Sequence, residues 1–102
     1  MSAYMIGFID VLDPEGYKEY AARVPATIAA YGGRYVVRNG SKHPLEGTMP
    51  DRRMVVLQFP SVERAKEWYE SDAYKACRAI RSQASTADLF LIEGYDDGQG
   101  VR

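Results

Sequence analysis

The chain has 102 residues, 46% of them hydrophobic and 26% charged, with 13 lysines and arginines against 14 aspartates and glutamates, for a net charge of −1. That length supports one domain around one core, and the evenly mixed charge leaves no basic patch or stripe for nucleic acid and no polybasic segment for an anionic membrane. A single cysteine, Cys77, leaves no internal disulfide to form; "MSAYMIGFIDVLD" has neither the basic region nor the cleavage site of a signal peptide, and its apolar run is too short to span a bilayer. The expected compartment is the cytoplasm.

The first predicted strand, Ala3 to Val11, sets Tyr4, Ile6 and Phe8 on one face and Met5, Gly7, Ile9 and Val11 on the other, so both faces are largely apolar. "DPEGYKEYAARVPATIAAYGG" follows as a helix. Asp13 is placed to cap it, Pro14 suits its first position, and Tyr17, Tyr20, Ala21, Val24, Ile28 and Tyr31 recur at three- and four-residue steps to form a buried stripe. Pro25 interrupts the hydrogen bond to the carbonyl of Ala21 and predicts a kink. Gly32 and Gly33 stop the helix by taking the left-handed conformation.

The second strand, Arg34 to Arg38, puts Arg34, Val36 and Arg38 on one face and Tyr35 and Val37 on the other. "NGSKHPLEGTMPD" is turn-rich and predicts a short hairpin arm. The third strand, "RRMVVLQF", alternates Met54, Val56 and Gln58 against Val55, Leu57 and Phe59. Ser61 caps a second helix that buries Val62, Ala65, Trp68 and Tyr69. After a break at Ser71-Asp72 comes a further helical stretch from Ala73 to Ala84, with Ala73, Cys77, Ile80 and Ala84 on its inner stripe. The last strand runs from Ala87 to about Glu93, and the polar tail 96–102, "DDGQGVR", is expected to be flexible.

The order β-α-β-β-α-β predicts an α+β, ferredoxin-like domain over 1–95, with helices on one face of a four-stranded antiparallel sheet. The strands are apolar on both faces, yet the helices cover one. Roofing the other, a footprint of roughly 300 Å², is worth on the order of 8 kcal/mol. A second copy packed sheet to sheet is the expected cover, which makes the protein a homodimer.

"LDPEGYKEYAARVP", "YGGRYVVRNG", "LEG", "RRMVVLQFPSVERAKEWYESDAYKACRAIRSQAS" and "LIEG", taken in order from Tyr4 to Gly94, resemble a bacterial family known as a domain of unknown function (number 1330). The resemblance implies the dimeric α/β-barrel fold, whose superfamily includes antibiotic-biosynthesis monooxygenases, muconolactone isomerases and haem-binding chlorite dismutases. It implies no particular reaction.

Tyr74, Arg78, Arg81 and Ser85 follow helical spacing and share one face. Two guanidiniums beside a phenol and a hydroxyl suit a small carboxylate or enolate; the alternative is a solvated face paired with carboxylates. Tyr17, Tyr20, Tyr31, Trp68 and Tyr69 are candidates to line a pocket between helices and sheet, against the alternative of plain core. Eight tyrosines favour a pocket, because buried phenols need partners. Arg34 and Arg38 either rim a ligand cavity or pair with Glu46, Glu93 or a partner subunit. His43, the single histidine, sits in a turn, where a haem ligand is not expected, and no cysteine or histidine set suggests a metal. Cys77 reads as a small buried apolar residue. Ser82 and Ser85 lack a relay, and no phosphate-binding loop occurs.

The expected function is binding of a small aromatic or acyl/carboxylate compound between helices and sheet, either as a cofactor-independent monooxygenase- or isomerase-like enzyme or as a non-catalytic binding or structural dimer. The candidate ligand-binding residues are Tyr17, Tyr20, Trp68, Tyr69, Tyr74, Arg78, Arg81 and Ser85, with no cofactor and no metal.

Overall fold

The computed structural model describes residues 1–95; the tail expected to be flexible, 96–102, lies outside the described residues. In chain order the elements are β1 (Ala3–Val11), α1 (Pro14–Ala30), β2 (Arg34–Arg38), β3 (Arg53–Phe59), α2 (Val62–Glu70), α3 (Asp72–Ala84) and β4 (Ser85–Glu93). The four strands form one sheet in the order β2-β3-β1-β4, every neighbouring pair antiparallel. This is the ferredoxin-like α+β arrangement that the element order implies.

Alternation along the strands gives the sheet two unlike faces. Met5, Ile9, Val55, Leu57 and Phe59 are buried beneath the helices. On the other side Val37, Val56, Ile6 and Phe90 stand in one cross-strand row, and Phe90 and Ile92 are each 51% exposed. Polar groups bound this open face at both ends. At one, Arg34 donates to Gln58 Oε1 (2.7 Å), and Gln58 donates to Ser2 Oγ (3.2 Å). At the other, Arg52 bridges Asp10 and Asp88, each at 2.9 Å.

The core is aromatic. Trp68 lies between Phe59 and Tyr74, with ring centroids at 5.2 and 4.0 Å, and its indole N–H donates to Thr27 Oγ1 at 3.0 Å. Thr27 in turn donates to the Val24 carbonyl, so the one polar atom of Trp68 is satisfied inside the core.

Several local features differ from the sequence reading. Asp13 occupies the N-cap of α1 but makes no side-chain cap bond; instead the Leu12 and Asp13 N–H groups both donate to the Ala84 carbonyl, tying the start of α1 to the end of α3. Only Gly32 of the glycine pair is left-handed, at φ 75°. Gly33 serves close packing, since a Cβ there would come within 2.6 Å of the Phe59 ring and 2.8 Å of Ile28. Residues 40–52 contain no strand, so the expected hairpin arm is absent. The segment leaves β2 through Asn39, at φ 54°, whose N–H donates to Met54 O. α3 and β4 begin at Asp72 and Ser85, slightly earlier than their sequence patterns suggest. Ser71 explains the break before α3: its hydroxyl donates to Trp68 O at the end of α2 and accepts the Tyr74 N–H at the start of α3.

β2 departs from simple alternation. Tyr35 pairs with Leu57 but Val37 pairs with Val56, so Val36 is an extra, bulged residue. Arg34 and Arg38 therefore fall on opposite faces. Arg34 donates to Gln58, and Arg38 donates to the Ala21 carbonyl at 2.9 Å. That carbonyl is the one Pro25 leaves without an intrahelical N–H. The helix passes through Pro25 as a single element, and a strand arginine supplies a donor to the carbonyl that Pro25 leaves open.

Candidate functional site

α1 brings Tyr17 and Tyr20 to the sheet side; β2 contributes Tyr35, β3 Arg53, and α3 Tyr74 and Arg81. The inner stripe of α3 is Tyr74, Cys77, Arg81 and Ala84, all buried. Ala73 is exposed and Ile80 only half-buried, so the helix is turned by about one residue from the stripe that apolar content favours. That turn carries a phenol and a guanidinium into the protein. The hydroxyls of Tyr20 and Tyr74 share a hydrogen bond of 3.1 Å. Arg81 lies 5.9 Å from the Tyr20 ring centroid, Arg53 lies 5.0 Å from that of Tyr17, and the Tyr17 and Tyr20 rings are 5.5 Å apart.

The cluster is rich in donors. Burial, together with Tyr74, holds the Tyr20 phenol far above its ordinary value, so it stays protonated. Tyr35 is also raised, chiefly by burial, with Arg38 and Arg53 opposing the shift. Burial works against the Arg81 cation, but Tyr74, Tyr20 and Tyr69 more than offset it, and its pKa lies above the usual arginine value. The Nε atoms of Arg53 and Arg81 are buried without a hydrogen-bond partner. Ion pairs found among the described residues involve other cations: Lys18, Arg23, Arg52, Arg64 and Lys75.

Beside this cluster a groove of about 390 Å³ runs beneath α2. Met5, Leu89 and Leu91 give it an apolar floor, and Lys66, Tyr69 and Glu70 form its wall. Tyr69 connects the two regions. It lines the groove, its ring packs 5.6 Å from that of Tyr74, and its phenol contributes to the elevated pKa of Arg81. A half-apolar trough ending near phenols and a guanidinium is suited to an organic ligand with an electron-rich oxygen.

Of the sequence candidates, Tyr17, Tyr20, Tyr74 and Arg81 come together in the cluster, and Tyr69 stands at the groove. Trp68 is enclosed in the core at 1% exposure. Arg78 lies 4.5 Å over the Tyr69 ring, outside the buried stripe of α3. Ser85 is buried, but its hydroxyl donates to the Arg81 carbonyl and closes the end of α3. His43 is exposed in the 40–52 segment, and Cys77 is buried with its thiol pushed up by desolvation. Among the described residues no group of three or more His, Cys, Asp or Glu could hold a metal ion, and no helix is long and apolar enough to cross a membrane. Arg53 and Tyr35 are the members that sequence reasoning missed. The signal for Arg53 was its parity, which it shares with Val55, Leu57 and Phe59 and which points it under the helices.

Fold and site together define a small ferredoxin-like α+β protein with a donor-rich interior cluster. The chain belongs to the family described as domain of unknown function (DUF1330), whose model matches residues 2–95. It is similar to a protein of unknown function from Rhodopseudomonas palustris, with TM-score 0.73 and 17% identity over 93% of this chain and 83% of that one. SnoaB, a cofactor-independent oxygenase from Streptomyces nogalater, aligns with TM-score 0.63 and 14% identity over 97% of this chain and 98% of that one. A dimeric protein of unknown function with a ferredoxin-like fold from Bacteroides fragilis aligns with TM-score 0.56 and 13% identity, covering 91% and 96%. At these identities the likeness is one of fold. No curated protein matches the chain.

Proposed function

We propose that the protein is a homodimer, packed sheet to sheet as a dimeric α/β barrel, that binds a small aromatic or acyl compound between the helices and the sheet of each subunit. The observation that carries the ligand reading is the groove under α2, apolar along Met5, Leu89 and Leu91 and ending at Tyr69, behind which Tyr74 and Arg81 stand. The dimer reading is supported by the uncovered row Val37, Val56, Ile6 and Phe90 and by a similar fold that is dimeric in Bacteroides fragilis. An apolar sheet face in water is a site for association.

The likeness to a cofactor-independent oxygenase favours an enzymatic version of the same reading. Such a site would act by electrostatics: protonated Tyr20, its partner Tyr74 and the Arg81 cation would favour the deprotonated form of a ligand with an acidic C–H or O–H. A non-catalytic binding protein would use the same contacts without turnover.

The test is titration with small aromatic acids, β-keto acids and their esters, followed by fluorescence of Trp68, which packs against Tyr74. Saturable quenching in the wild type and its loss in Leu91→Phe, which narrows the groove without adding a second tryptophan, is the expected outcome. No saturable response up to about 10 mM, the weak limit of specific binding, overturns it. Oxygen uptake or absorbance change with any ligand that binds separates enzyme from binder.

A further inference from the structure

Donors and acceptors do not balance in the interior cluster. Its cations, Arg53 from β3 and Arg81 from α3, each keep a buried Nε without a partner. Arg81 is 8% exposed, and the groups acting on its charge are the phenols of Tyr74, Tyr20 and Tyr69. Tyr74 also hydrogen-bonds the Arg81 side chain, so this guanidinium meets phenol oxygens and no carboxylate, and its Nε stays unpaired. Two of the phenols are joined to each other, and Tyr35, half-buried, lies within electrostatic reach of Tyr17, Tyr74 and Arg53. No ion pair among the described residues brings a carboxylate to either arginine. Arg81 is buried and Arg53 half-buried, and a buried guanidinium ordinarily holds a carboxylate or phosphate, because a desolvated cation without an anion is costly.

We infer that Arg53 and Arg81 form a two-sided anion site, reached past Tyr69, that takes the single negatively charged head of the ligand, a carboxylate or an enolate or phenolate oxygen, while the body of the ligand lies on Met5, Leu89 and Leu91. This rests on the proposed reading that a small compound binds between helices and sheet, and it adds the ligand's charge and a second arginine from the strand. A monoanion fits better than a phosphate-rich group. The chain has no phosphate loop, and the remaining groups around the arginines are phenols, whose O–H groups can donate to one shared anionic oxygen. The two arginines come from different layers, Arg53 from the sheet and Arg81 from α3.

The experiment compares benzoate with its neutral isostere benzamide by titration calorimetry, on wild type, Arg53→Gln and Arg81→Gln. Charge-assisted bonds to two guanidiniums predict that wild type binds benzoate about tenfold or more tightly than benzamide, and that each variant loses about tenfold for benzoate with little change for benzamide. Equal binding of the two probes by wild type overturns the anion site while leaving the groove reading intact. Binding of neither overturns both. Loss of benzoate preference in Arg81→Gln but not in Arg53→Gln overturns the two-sided assignment. The wild-type comparison needs no variant, so the test survives a variant that does not fold.

Discussion

Arg52 and Arg53 are adjacent in sequence and face opposite sides of the sheet. Arg52, on the open side with 27% of its side chain exposed, ion-pairs with Asp10 and Asp88, donates to the Phe8 carbonyl at 3.3 Å, and packs 5.8 Å from the Phe8 ring. Arg53, under the helices, lies over Tyr17 and leaves its Nε buried and unpartnered. Both arginines are half-buried, yet Arg52 is the fully neutralised one. A chain selected for stability alone would neutralise both, because a charge is cheap in water and costly when desolvated. The open face thus presents an apolar row framed by satisfied polar groups, whereas the helix side keeps two guanidinium Nε atoms without partners. That is the pattern expected where function and stability disagree.

The contrast between faces can be broken most sharply by truncating one large side chain on each. Trp68→Ala should cost about 3–5 kcal/mol in urea unfolding, since it empties the space between Phe59 and Tyr74 and strands Thr27. Phe90→Ala, half exposed, should stay within about 0.5 kcal/mol for the isolated subunit and appear instead as weaker self-association in sedimentation. Ile6→Asp, in the middle of the open row, should give monomers. Equal unfolding costs for Trp68→Ala and Phe90→Ala, with no change in association, would mean that the open face is not an interface.

The arginines give the next largest effect, with opposite signs. Arg81→Met replaces a buried cation with an apolar side chain of similar length, and should leave thermal stability unchanged or raised by about 1–2 kcal/mol while abolishing the ligand's effect. Arg52→Met should lower stability, because it leaves Asp10 and Asp88 close together without the cation between them. If Arg81→Met destabilises as a core cavity does, Arg81 belongs to the scaffold.

Smaller again is the alkaline limb of stability. Burial holds Tyr20 and Tyr35 above the ordinary phenol value of 10.0, so the folded chain keeps protons that the unfolded chain releases. Stability from this source is fully present below about pH 10 and is lost as pH rises beyond it. Denaturant midpoints between about pH 8 and 11 should fall on that limb, and Tyr20→Phe should flatten the fall. An unchanged slope in Tyr20→Phe would show that its phenol is not desolvated.

The sheet was legible from sequence because alternation survives in β1, β3 and β4, and because Pro14, Gly32 and Ser61 mark helix ends by local chemistry. The site was harder. Stripes through Ala73 and Ile80 or through Tyr74 and Arg81 share Cys77 and Ala84 and differ by one residue of rotation. Counting apolar side chains selects the first; the structure takes the second, sinking Tyr74 and Arg81 beneath the helix. Arg53 was hidden by the same preference, although its parity with Val55 gave it away. The bulge at Val36 follows no residue pattern that alternation can detect, so Arg34 and Arg38 appeared to share a face that they do not.

Arg38 and Pro25 provide the finest test of how the helix side is held. Pro25 has no N–H for the Ala21 carbonyl, and the Arg38 guanidinium donates to that oxygen at 2.9 Å while lying 4.5 Å over the Tyr35 ring. Pro25→Ala returns a backbone donor to Ala21 and makes the arginine's bond redundant. The cost of Arg38→Ala should therefore be smaller in the Pro25→Ala background than in wild type, by on the order of 0.5 kcal/mol in a double-mutant cycle read by urea unfolding. Whatever cost persists in that background measures the stacking on Tyr35. Equal costs in both backgrounds would mean that Arg38 is held by the ring alone, and that α1 tolerates its proline without help from the strand.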